Sequence, residues 1–307
     1  MDKIQYYILY AYMWLHAILP FRVLYVFSDI LYYVVYHLVG YRVKVVRRNL
    51  AASFPDKSAD ELKRIEKDFY HNLCDYYFET IKLLHVSDKE ISKRMKFHNL
   101  ELVQELSKDG NSVLMYLGHY GNWEWIPSLM MHLGGTNFQL GQIYRPLKNK
   151  AFDRLFLKIR SRFNTFSIAK DDTFRAIIRK RRDGIQTMIG FMADQTPSVM
   201  NIHYWTTFLN QETPFFNGVE RIAKQTGFYV CYLDVQKVKR GYYEATVRLI
   251  SDNPKEEPEF AITEKYARAM EKTILRNPAY WLWSHKRWKR KREDVERQQQ
   301  EIKHRDK

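Results

Sequence analysis

Between Ile4 and Phe21 the chain carries no Asp, Glu, Lys or Arg, and a second apolar stretch, Ile30–Tyr41, runs into Arg42, Lys44, Arg47 and Arg48. The first stretch reaches the lower edge of a membrane-crossing length. It is too long for the apolar part of a removable leader, and no small-residue cleavage site ends it. Three placements follow. The first segment crosses the bilayer, both segments lie in the interface as aromatic-rich helices, or both are ordinary core helices. In either membrane placement the basic cluster at 42–48 sits on the cytoplasmic side.

Residues 42–110 read mostly as helix. Ser58-Ala59-Asp60-Glu61 has the form of a capping box, a hydroxyl cap with Glu three positions on. Leu62, Ile65, Phe69, Leu73 and Tyr76 then recur at three- and four-residue spacing, which makes one apolar helix face. The pattern changes at Asn111–Gly118, a short apolar run after Asp109-Gly110 that reads as a buried strand. Further strands are expected at Asn137–Tyr144, Gln186–Met192, Phe228–Val235 and Tyr243–Leu249. Helices are expected at 149–163, 171–182, 217–226 and Glu259–Leu275. Strands alternating with helices predict an α/β fold with a mixed, mainly parallel sheet flanked by helices. Lys239-Arg240-Gly241 lies between the last two strands, so that pair reads as an antiparallel hairpin. The expected organisation is an N-terminal apolar, membrane-anchoring helical segment at 1–41, one main domain at 42–288, and a charged tail at 289–307.

Composition narrows the partners. Lys and Arg number 50 against 35 Asp and Glu, a net charge of +15 that favours anionic lipid head groups, an acidic carrier protein or nucleic acid. No nucleic-acid-binding motif accompanies the charge, and the apolar N-terminus argues for lipid. Tyr, Phe and Trp together make up 15% of the chain, as suits an interfacial protein or one that grips an acyl chain. Cys74 and Cys231 fit no zinc or redox spacing, and no metal site is expected.

The sharpest chemistry follows the Asn111–Gly118 strand, in Gly118-His119-Tyr120-Gly121-Asn122-Trp123-Glu124-Trp125. A histidine at the carboxyl edge of a sheet stands where open α/β folds bind ligands. On one continuous helix His119 and Glu124 would be about 140° apart and could not meet. With His119 in the turn and Glu124 in the first helical turns, the carboxylate is expected to hold one imidazole nitrogen and leave the other to take a proton. A capping His with a surface Glu is the plain alternative.

This stretch resembles the first motif of the bacterial lipid A late acyltransferases, within the wider glycerolipid acyltransferases that carry H-x-x-x-x-D/E. Later blocks resemble that family in the same order: Tyr144-Arg145-Pro146, Arg160-Ser161-Arg162-Phe163-Asn164, Ala193-Asp194-Gln195, Pro214-Phe215-Phe216-Asn217-Gly218, and the closing Pro278–Trp288 segment. Phe163 and Thr196 depart from the pattern, and the tail is longer and more charged than usual.

The resemblance implies a membrane-bound O-acyltransferase of the cytoplasmic (inner) membrane, its catalytic domain on the cytoplasmic face. It implies His119 as general base with Glu124 as its partner. Asn122, Trp123, Tyr144, Arg145, Arg160, Arg162, Asp194 and Gln195 are the expected substrate-binding residues. No cofactor is implied beyond an acyl-thioester co-substrate, acyl carrier protein or acyl-CoA. The acceptor implied is a hydroxyl of a lipid A precursor; a lyso-aminolipid or lysophospholipid, or a non-enzymatic lipid-binding role, is the alternative.

Overall fold

The computed structural model describes residues 2–305. Its strands are β1 (Met95–His98), β2 (Val113–Leu117), β3 (Gln139–Tyr144), β4 (Phe166–Ala169), β5 (Thr187–Met192), β6 (Tyr204–Phe208), β7 (Gln211–Phe215), β8 (Tyr229–Lys239) and β9 (Tyr242–Ser251). Its helices are α1 (Asp2–Ala17), α2 (Phe21–Tyr32), α3 (Val43–Ser53), α4 (Ala59–Lys82), α5 (Asp88–Arg94), α6 (Leu100–Ser107), α7 (Lys150–Arg160), α8 (Thr173–Arg182), α9 (Gly218–Thr226), α10 (Ala261–Arg276) and α11 (Arg292–Arg305). A 3-10 helix, Trp123–His132, follows β2.

Seven strands form one sheet in the order β1-β9-β8-β2-β5-β3-β4. β2, β5, β3, β4 and β8 are mutually parallel, and β9 returns antiparallel to β8 as the expected hairpin. All five residues of β2 are buried, as an apolar run covered on both faces requires. The fold is therefore α/β with a mixed, mostly parallel sheet flanked by helices.

Four short strands escape the pattern. The two edge strands, β1 and β4, are four residues each, and β1 takes its pairing from the distant β9. β6 and β7 make a separate hairpin whose two turn residues, Leu209 and Asn210, both have positive φ. That turn prefers Asn-Gly, and a leucine gives no such signal. Leu209 is buried, and the apolar burial offsets the about 1–2 kcal/mol cost of its left-handed backbone.

The capping box at Ser58 is formed in both directions, and α4 runs from it as the longest helix of the described chain. α4 organises the N-terminal segment. Its Lys82 Nζ donates to the carbonyl oxygens of Ala17 and Leu19 at 2.7 and 2.6 Å, capping the end of α1 and fixing the turn into α2. Ser28 Oγ on α2 donates to Asp75 Oδ1 at 2.7 Å. α1 lies on α7, where Lys158 Nζ donates to the Tyr10 hydroxyl at 3.4 Å and Arg154 stacks on the Tyr6 ring.

Among the described residues no single helix is long and apolar enough to cross a membrane. α1 and α2, the latter prolonged by a π-helical stretch to Leu38, meet instead at a bend of 117°. Their inner side chains, Met13, Ala17, Phe21 and Leu24, are buried, while Ile4, Ile8, Leu15, Val26, Ile30 and Leu38 face outward.

Candidate active site

β2 and β5 are neighbours in register, with Leu117 opposite Met192. Two residues beyond each of these stand His119 and Asp194, so the sheet delivers an imidazole and a carboxylate to the same point on its carboxyl edge. His119 Nδ1–H donates to Asp194 Oδ1 at 2.7 Å, and the His119 amide donates to Oδ2 at 2.9 Å. Trp281 Nε1–H gives Oδ2 a further bond at 2.8 Å. Burial alone would push the Asp194 carboxyl up, but His119 and these donors outweigh it and bring it down to about 2. The carboxylate is therefore ionised and fixes His119 with its proton on Nδ1. Nε2 is left as the basic nitrogen, accepting from the Gln195 amide at 3.2 Å.

The expected pairing of His119 with Glu124 is thus corrected. Glu124 is the second residue of the 3-10 helix after the turn and is buried on the α7 side of the sheet. There Arg160, the last residue of α7, donates to it through Nε at 2.9 Å and Nη2 at 2.6 Å. A buried carboxylate needs a charge partner, and the guanidinium fork supplies both bonds at once. The Trp123 indole meets the His119 ring edge-on, with centroids 5.1 Å apart, and stacks on Tyr76.

Two other residues prove to be braces. Asn122 is fully buried and donates from Nδ2 to Glu79 Oε2 at 2.8 Å. Glu79 also accepts from the hydroxyls of Tyr243 at 2.8 Å and Tyr25 at 3.0 Å, and its burial raises its pKa. Arg162 turns its guanidinium to the carbonyl oxygens of Leu83 and Val86 and to Asp88, tying the 3-10 turn Ser161–Phe163 after α7 to the α4–α5 connection. It therefore holds chain segments together rather than facing the cavity that Arg160 lines. Tyr144 closes β3 half-buried, and Arg145 stands exposed just beyond it.

The closing segment clasps the motif. Gly121 has φ +61°, and a Cβ there would stand 3.1 Å from the Tyr243 ring, so only glycine suits the turn. Its amide donates to the Tyr280 oxygen at 2.9 Å, and the Leu282 amide donates to the His119 oxygen at 3.1 Å. His285 Nε2 accepts from the Thr196 amide at 3.3 Å, and burial lowers the ring to about 4, which keeps it neutral. Sequence reasoning had no means to see Glu79, a carboxylate mid-helix with no motif around it. Asp194 was visible as a polar residue ending a strand, but its partner was hidden until strand order was known.

A narrow apolar cavity, about 70 Å³, opens beside Arg160 and Glu124 on the α7 face. Met115, Leu117, Trp123, Ile126, Leu129 and Met188 line it. The methionines are flexible enough to yield to a slender apolar guest.

The family model for bacterial lipid A biosynthesis acyltransferases matches residues 1–290. The chain is 23% identical to the lipid A biosynthesis palmitoleoyltransferase of Escherichia coli over 290 residues, covering 90% of this chain and 88% of that protein. It is 22% identical to the lipid A biosynthesis lauroyltransferase of the same organism over 293 residues, covering 92% and 90%. A lipid A biosynthesis acyltransferase of Haemophilus influenzae is 24% identical over 254 residues, covering 81% of this chain and 78% of the relative.

Proposed function

The chain belongs to the bacterial lipid A biosynthesis acyltransferase family and is an acyltransferase, and from that premise we propose that it moves a fatty acyl chain from the thioester of acyl carrier protein to a hydroxyl of a lipid A precursor. One observation carries the mechanism: an ionised carboxylate holds the His119 Nδ1 proton at 2.7 Å, leaving Nε2 free of that bond on a ring that packs against Trp123, a residue lining the apolar cavity.

In the proposed reaction the acceptor hydroxyl displaces the Gln195 amide from Nε2. Nε2 takes the hydroxyl proton as the oxygen attacks the thioester carbonyl, and Asp194 stabilises the imidazolium that forms. The tetrahedral oxyanion collapses, the C–S bond breaks, and the leaving thiolate takes the proton from Nε2. A C–O ester bond replaces the thioester and the base is restored.

Glu124 acts in this reading through Arg160. Two of the guanidinium's N–H groups are fixed on the carboxylate; Arg160 also lines the cavity, and its remaining N–H groups are assigned to a developing oxyanion or a phosphate. The Gly121 amide is committed to Tyr280 and is not assigned that task. The acyl chain is assigned to the methionine-lined cavity. The outward apolar residues of α1 and α2 are assigned to the membrane interface, lying flat at the cytoplasmic leaflet with Arg42, Lys44 and Arg48 near the head groups.

Mass spectrometry of the membrane lipids of cells with and without the gene tests the reading. A lipid A species one acyl group lighter in its absence is expected; an unchanged lipid A profile would overturn the acceptor assignment.

A further inference from the structure

We propose that the face of the sheet opposite the N-terminal helices, centred on α8, docks the acidic protein that carries the acyl thioester, and that the cavity beside α8 admits the carrier's prosthetic arm. This rests on the carrier-protein donor proposed above. The β3–α7–β4 and β4–α8–β5 connections cross the sheet in opposite directions. Right-handed crossovers therefore put α7 and α8 on opposite faces, and the β5-to-β8 connection puts α9 with α8. α1 rests on α7, so the apolar N-terminal surface and the α8 surface belong to opposite sides of the molecule. A lipid reaches the site from one side and a water-soluble partner from the other.

The α8 side has an opening of its own. A cavity of about 560 Å³ lies between α8 and α9 at the carboxyl edge, lined by Thr173, Phe174, Ala193, Phe216, Arg221 and Gln225 among others. Ala193 directly precedes Asp194. Ile143 and Met192 line both this cavity and the apolar one on the α7 face, so the two chambers adjoin at the edge where His119 stands. An acyl chain in one and an amphipathic, phosphate-bearing arm in the other would put the thioester between them.

The rim has the charge that such a partner fits. α8 carries Arg175, Arg179, Lys180, Arg181 and Arg182 and no acidic residue in its first turn. Cations near a helix C-terminus stabilise it, which accounts for the last four. Arg175 lies in the first turn, where a cation opposes the helix dipole, so helix stability does not explain it. Arg175 and Arg179 are exposed and make no ion pair among the described residues, while Lys170 pairs with Asp171 at 3.3 Å and Arg182 with Asp183. Beside the arginines, Phe174 and Ile178 are exposed four residues apart on one helix face. An apolar pair flanked by unpaired cations is complementary to an acidic amphipathic helix.

Steady-state transfer by the full-length protein tests this with two donors bearing one acyl chain, on acyl carrier protein and on free pantetheine. The double variant Arg175→Glu with Arg179→Glu should raise KM for the carrier thioester by about tenfold, abolish much of its salt dependence, and leave the pantetheine donor unchanged. Gln225→Trp, which narrows the cavity, should slow both donors. Wild-type rates for both variants with the carrier thioester would overturn the docking surface while leaving the carrier reading intact. A wild-type enzyme that turns over acyl-CoA and ignores the carrier thioester would overturn both.

Discussion

His119 and Asp194, 75 positions apart in the chain, stand at equivalent places beyond two paired strands, and the carboxylate of one holds both the ring Nδ1 and the backbone amide of the other. Position and tautomer of the imidazole are thus set by a single group. Asp194→Asn keeps the side-chain volume but loses the charge that favours an imidazolium. It is expected to lower kcat by about a thousandfold with little change in KM. Steady-state kinetics on folded protein check this, and a loss confined to KM would assign Asp194 to substrate binding instead.

The buried Glu124 forms an ion pair with the half-buried Arg160, so removing either charge alone strands the other. Glu124→Gln is expected to destabilise the protein by about 3 kcal/mol, and adding Arg160→Met should recover part of that loss. Denaturant unfolding of the two single variants and the double variant measures the coupling. Activity should stay low in all three, because the proposed oxyanion donor is misplaced or gone.

The half-buried His285 and the buried Asp194 give stability a stepped pH dependence. His285 lies at about 4 in the folded protein against an ordinary 6.5. Between those values the unfolded chain binds a proton that the folded one refuses, so stability falls as pH drops from about 6.5 to about 4. Asp194 lies at about 2 against 3.8, so its contribution is full above about pH 4 and is lost as pH falls towards 2. His285→Gln is expected to flatten the upper step and leave the lower one. Melting temperatures recorded across pH 2–7 test it, and an unchanged upper slope would contradict the assignment.

The N-terminal helices offer their own test. Ile8, Leu15, Val26 and Ile30 point outward and support no core packing. Replacing all four with Ser is expected to weaken association with anionic phospholipid vesicles at least about tenfold while the melting temperature holds. Undiminished co-sedimentation would remove these helices from the membrane contact.

Much of this architecture was legible because local pattern and tertiary environment agree. The run Val113–Leu117 is apolar throughout and is buried on both faces; Ser58 and Glu61 form the capping box their spacing announces. What escaped was non-local. β1 and β4 are too short to show a period, and the β6–β7 turn uses a leucine where the geometry favours glycine. The site divides along the same line. His119 and Glu124 stood out because they lie in one motif, yet proximity in sequence misdirected their pairing. Five residues of chain turn Glu124 to the α7 face and Arg160, while strand register brings Asp194 from far away to the imidazole. Spacing reports neighbours along a chain; only strand order reports neighbours across a sheet.

The most direct measurement is transfer of a radiolabelled acyl chain from its carrier thioester to a lipid A precursor by the full-length protein and its His119→Ala variant. With His119 as the base, the variant should keep its melting temperature and its vesicle binding while its turnover falls by about a thousandfold or more. A variant that transfers the chain at the wild-type rate would contradict the account.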